Sequence, residues 1–292
     1  MATNTRATFI IQSQSPGAFS RRAAFFILEP PLMHTLPALS VFSRLSVLRS
    51  ALTLTAALLL GTIAVQAAPT GLLNDTGQTW CTDANDAWVA CDSGTTGDAG
   101  TRPRQDGRFG RDVANPSKVG GGAAGFDFTP LDASGNAIAL TGSPAVPSAT
   151  PRCVKDNVTN LIWEVKTTSG LQDSLYRYAW GSNLGDALCG LSTCSTDAFI
   201  AALNAADLCG ETANDWRLPT RRELLSLTHR GIVAQPKIDA NFFPETRSYL
   251  YWTNDIYPPN PSNAWIVNFL FGASYFDNKT SSNYVRLVRS GQ

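Results

Sequence analysis

Five basic residues, Arg217, Arg221, Arg222, Arg230 and Lys237, fall within the 21 positions from 217 to 237. Gathered in this way they suit a sulfated glycan or another anionic surface, because guanidinium groups present planar forks of donors to oxyanions. Arg221 and Arg222 stand where a helix is expected to begin. The helix dipole disfavours cations there, which hints at a use beyond local stability. The competing reading is ordinary surface pairing with Glu211, Asp215 and Glu223, and such pairs are common and weak. Arg217 also suits a partly buried anchor.

Other chemistry has less to build on. The sequence holds two His residues, so a multi-His metal centre cannot form. Trp252-Thr253-Asn254-Asp255 offers side-chain oxygens for calcium, but that ion needs six to eight oxygen ligands. A polar strand end leading into Pro258-Pro259 is the better reading, and we expect no metal and no cofactor. Gly120-Gly121-Gly122 lacks the flanking strand and helix of a phosphate loop. There is no G-x-S-x-G, and His229, in Leu227-Thr228-His229-Arg230, reads as a solvated histidine at a helix end. Carboxylate pairs for glycoside cleavage are defined by separation in space, and the sequence singles out none. We therefore expect no enzyme. Equal totals of 23 basic and 23 acidic residues also argue against a nucleic-acid partner.

The N-terminus reads as an address. Arg44 and Arg49 precede an uncharged run over 51–65, and Val65-Gln66-Ala67 supplies a small-x-small cleavage site. This is the pattern of a secretory signal peptide cut near Ala67, and the run is short for a membrane span. Met33 would start a signal of ordinary length, so residues 1–32 read as an over-extended start. Cleavage takes away Arg6, Arg21, Arg22, Arg44, Arg49 and Glu29, leaving 18 basic and 22 acidic residues, a net of −4. The basic cluster is then a local exception. We expect secretion to the periplasm, cell surface or medium, with no membrane insertion afterwards.

All six cysteines follow that site, and an even count in a secreted chain reads as disulfides. Six cysteines allow fifteen pairings. Spacing suggests Cys81 with Cys91 and Cys189 with Cys194, which leaves Cys153 with Cys209.

The elements that must position these groups fall in two stretches. Residues 68–150 read as a Gly/Asp-rich leader with short strands and loops. Residues 151–292 are better patterned. A strand is expected over 160–166, with Leu161, Trp163 and Val165 on one face. A helix is expected from about Thr196, with Phe199, Ala202, Leu203 and Ala206 as its stripe, Ser195 or Thr196 as N-cap and Gly210 as its stop. Thr220 and Glu223 form a capping box for a second, short helix. Strands follow over 249–253, 263–269, 274–276 and 284–289. The large aromatics Trp163, Trp180, Trp216, Trp252 and Trp265 read mostly as core.

Five segments occur in order: Asp156-Asn157-Val158-Thr159-Asn160-Leu161-Ile162-Trp163-Glu164, Asp215-Trp216-Arg217-Leu218-Pro219-Thr220, Tyr251-Trp252, Ala264-Trp265-x-Val267-Asn268-Phe269 and Tyr284-Val285-Arg286-Leu287-Val288-Arg289. Together they resemble the Lcl C-terminal domain family, a bacterial secreted domain named for the end domain of a collagen-like adhesin. The resemblance implies an α+β, C-type-lectin-like fold, with two helices packed on antiparallel sheets behind the leader. It also implies adhesin-like binding, since the namesake domain is associated with glycosaminoglycans and trimers. This chain has no Gly-X-Y stalk, so the trimer does not carry over and the oligomeric state stays open. The sequence thus favours a secreted binding domain for surface glycans or polyanions. The alternative is a structural or assembly module of the cell envelope, with contacts made by the leader.

Overall fold

The computed structural model describes residues 74–291, apart from 84, 86, 92–104, 114–116, 186–187 and 211–213. The signal peptide, its start and Glu211 lie outside the described residues. In chain order the strands are β1 (Trp80–Thr82), β2 (Trp88–Ala90), β3 (Phe128–Leu131), β4 (Leu140–Thr141), β5 (Val146–Pro147), β6 (Cys153–Asp156), β7 (Leu161–Glu164), β8 (Leu250–Ile256), β9 (Asn263–Asn268), β10 (Ala273–Asn278) and β11 (Val288–Ser290). The α-helices are α1 (Asp106–Phe109), α2 (Thr196–Asn204) and α3 (Arg221–Leu225), with a 3-10 turn at Leu208–Gly210. The architecture is mixed α+β, and every sheet is small and antiparallel.

A four-stranded sheet has the order β11-β7-β6-β3. Its β3 comes from the leader and pairs along β6, Phe128 with Asp156 through Leu131 with Cys153. A second sheet runs β10-β9-β8. The segment ahead of β11 links the two, because Trp252 N–H donates to Tyr284 O at 2.9 Å and Tyr284 N–H to Leu250 O at 3.0 Å. This linkage shortens the last strand. The expected strand over 284–289 is β11 only from Val288, since Tyr284 bridges to Tyr251 instead.

Alternation along β8 and β9 divides the core. Trp252, Ala264 and Ile266 pack with Phe199 and Leu203 of α2. Tyr251 and Val267 pack on the opposite side with Leu224 of α3, Leu227, Phe242 and Phe126. Burying a side chain such as Phe199 completely stabilises the fold by about 1.5–3 kcal/mol. The strand β7 departs from expectation, because all four of its residues are buried, on both faces. Glu164 ends it inside the protein. Its Oε2 accepts from Leu287 N–H at 2.9 Å, and its Oε1 meets Lys166 Nζ at 2.7 Å.

Local chemistry sets the helix ends. Ser195 is the N-cap of α2, its hydroxyl accepting from Ala198 N–H. That helix stops at Asn204, and the chain continues through the 3-10 turn, where Cys209 and Gly210 both take positive φ. Thr220 and Glu223 form both hydrogen bonds of the capping box on α3.

Three disulfides tie the chain: Cys81–Cys91, Cys153–Cys209 and Cys189–Cys194. They imply an oxidising, extracytoplasmic compartment. No helix among the described residues is long and apolar enough to cross a membrane.

Candidate functional site

The five basic residues of the 217–237 stretch separate into three fates. Arg217 is half-exposed but is committed to partners within the chain. Its bridge partner is Val288 of β11, and its guanidinium makes a two-point pair with Glu223, at 2.9 Å and 2.7 Å. Burial pushes the Glu223 carboxyl up, but the Arg217 hydrogen bonds and the Thr220 N–H outweigh it and hold it below its usual range. Arg217 is therefore the anchor that orients α3.

Lys237 is tied to its own loop. Its ammonium donates to the carbonyls of Ile232 and Val233 and closes the loop between them. The other three, Arg221, Arg222 and Arg230, line one hollow of about 490 Å³ with Asn74, Asp75, Thr76, Leu225, Ser226, Thr228 and Ser274.

Each wall has a physical cause. The Arg221 N–H donates to Asp255 Oδ2 at 2.6 Å, so a carboxylate meets the positive end of α3. The Arg221 guanidinium lies 4.1 Å over the Trp265 ring, a contact worth about 0.5–1 kcal/mol at an exposed site. Arg222 and Arg230 are exposed and have no carboxylate partner among the described residues. The far wall comes from the leader, held by Arg230 N–H donating to Thr76 O at 2.8 Å.

Asp75 lines the hollow, but its oxygens are already engaged by the N–H groups of Gly77 and Asp112, both at 2.8 Å. Most hydroxyl protons are committed too. Thr76 donates to Asp106, Ser226 to Glu223 O and Thr228 to Leu225 O. The free donor capacity of the hollow therefore rests chiefly on the three guanidinium groups. Such a set recognises anions through charge-assisted hydrogen bonds.

One sequence expectation changes here. His229 is not a solvated helix-end residue. It is 5% exposed, beyond the end of α3, with its ring against Gly77 and 5.2 Å from the Phe126 ring. Burial lowers its pKa, against the opposing pull of Asp239 and Asp75. The Trp252–Asp255 segment divides its polar groups, because Asp255 caps α3 while Asn254 N–H donates to Pro219 O at 2.7 Å. Among the described residues no group of three or more His, Cys, Asp or Glu is arranged to hold a metal.

Sequence reasoning did not find the leader wall at Asn74–Thr76 or Ser274, since no local pattern joins them to the arginines. The Trp265 platform had a signal, because alternation puts Trp265 on the same face of β9 as Val267, under α3.

The family model of the Lcl C-terminal domain matches residues 152–289. Residues 152–289 form an Lcl C-terminal domain. The match spans β6 to the middle of β11 and so contains all three arginines of the hollow. The β3 strand and the Asn74–Thr76 wall lie upstream of this Lcl domain yet pack onto it. No curated protein matches the chain, and no solved structure does.

Proposed function

We infer that this protein is a secreted, non-enzymatic binding module whose Lcl domain takes an anionic ligand, a surface glycan or another polyanion, in the arginine hollow. One observation carries the reading. In a chain whose segment beyond residue 67 has a net charge of −4, Arg221, Arg222 and Arg230 converge on one hollow, and two of them are exposed without a carboxylate partner among the described residues. A C-type-lectin-like fold is consistent with the layout, since the Arg217–Pro219 element pairs with the terminal strand beside two helices. Delivery by a signal peptide cleaved near Ala67 agrees with the disulfides, and the reading needs no cofactor, nucleic acid or membrane insertion.

Heparin-affinity chromatography of Arg221→Ala plus Arg222→Ala tests it. We expect the double variant to elute at clearly lower salt than the parent. Elution at the parent's salt would remove the assigned site.

A second reading has its own support. The stapled β1–β2 hairpin carries Trp80 and Trp88 on one face, 55% and 68% exposed. That surface suits an assembly module that contacts a partner through its leader. Light scattering on a sizing column separates the readings, because a stable oligomer without heparin retention favours assembly.

A further inference from the structure

A second hollow, of about 340 Å³, lies between the start of α2 and the outer end of β8. It is at the small end of ligand pockets, which span about 300–1,000 Å³. It shares no lining residue with the arginine hollow.

Its floor is apolar and fixed, made by Trp180, Ile200 and Leu218. The Trp180 indole N–H donates to Thr253 O at 2.8 Å, and its backbone N–H to Lys279 O at 2.9 Å. Its rim is polar. Asn183 spends its N–H on Trp180 O at 2.6 Å, which leaves its carbonyl oxygen as an acceptor. The Asn254 carboxamide and the Asp197 carboxylate are exposed, and neither side chain has a hydrogen-bond partner among the described residues. The Lys279 ammonium sits 4.3 Å over the Trp180 ring. Asp197 and Lys279 have opposite charges on one rim, so the hollow as a whole is close to neutral.

We propose that this hollow binds a single neutral pyranose ring at the end of a glycan. A pyranose has one C–H face and a rim of hydroxyls, each both donor and acceptor. The apolar floor meets that face, and the carboxylate, carboxamide and ammonium groups meet adjacent hydroxyls. A polyanion would meet Asp197. The proposal does not rest on the arginine hollow.

Saturation-transfer NMR and titration of the full chain test it, with its disulfides intact. The probes are methyl α-mannopyranoside, methyl β-galactopyranoside, methyl α-fucopyranoside and N-acetylglucosamine. We expect at least one to bind, and Asn254→Ala and Asp197→Asn each to weaken it tenfold or more. Both sites are at the surface, and a thermal melt matching the parent's confirms that each variant is folded. Three results would overturn the proposal: none of the four sugars binds, binding is unchanged in both variants, or glycine and glutamate bind in preference to every sugar. Heparin retention is read in parallel, and its loss in the arginine variants bears only on the other hollow.

Discussion

Acidification should weaken this fold through one buried ring. His229 is 5% exposed, and its Nδ1 is buried without a hydrogen-bond partner among the described residues. Burial lowers its folded pKa below the unfolded value of about 6.5. In the window between the two values the unfolded chain holds the extra proton. The contribution of His229 is thus fully present above about pH 6.5 and lost as pH falls towards the folded pKa. Within that window one group changes stability by at most about 1.4 kcal/mol per pH unit. Asp156 acts in the opposite sense, since burial raises its carboxyl and protonation then favours the folded state. A comparison of variants cancels that background. His229→Phe keeps a ring beside Phe126 and removes the proton site. Urea unfolding at pH 7.5, 6.5 and 5.5, without reductant, should show the parent losing stability faster than the variant. The parent should be the steeper of the two as pH falls below about 6.5, with the difference bounded by about 1.4 kcal/mol per unit for one titrating group. Parallel slopes for parent and variant would refute the reasoning.

Three further outcomes can be checked by the same unfolding measurements. Lys166→Met keeps an unbranched side chain beside Phe199 but strips Glu164 of its 2.7 Å partner, so we expect a loss of about 3–5 kcal/mol. Thr220→Ala removes one half of the capping box on α3 and should cost about 1 kcal/mol, with heparin retention reduced as Arg221 loses its setting. Replacing Cys153 and Cys209 together with Ala opens a loop with a sequence separation of 56, for which chain entropy gives about 4 kcal/mol, whereas a loss below 1 kcal/mol would show that packing alone closes it.

What could be read from the sequence was what is local. The Thr220–Glu223 box and the Ser195 cap depend on residues three apart and form as expected, and Phe199 and Leu203 of the α2 stripe are buried, whereas Ala206 lies exposed beyond the helix end. The arginine cluster was visible as spacing, but its division was not. Arg217 is spent within the chain because Glu223, one turn into α3, folds back onto it, although its side chain stays half-exposed. Lys237 is spent because loop carbonyls turn towards it. The buried state of His229 depends on Gly77, far away in the chain, whose lack of a side chain lets the ring close over it. The end of β7 misled for a related reason. Glu164 and Lys166 read as polar strand positions, yet Arg286, Leu287 and Thr246 approach from distant segments and make the interior polar. Position 150 looked like a boundary in composition, but β3 carries the four-stranded sheet across it.

The account stands most directly on whether the arginine hollow holds an anion. Titration calorimetry with a size-defined heparin oligosaccharide, on the parent and on Arg222→Glu plus Arg230→Glu, measures that. Both positions are exposed, so the variant should melt with the parent. At about tenfold per lost charge-assisted contact, affinity should fall by about a hundredfold or more, and added salt should weaken the parent's binding. Equal affinity of the two proteins, with both folded, would contradict the account.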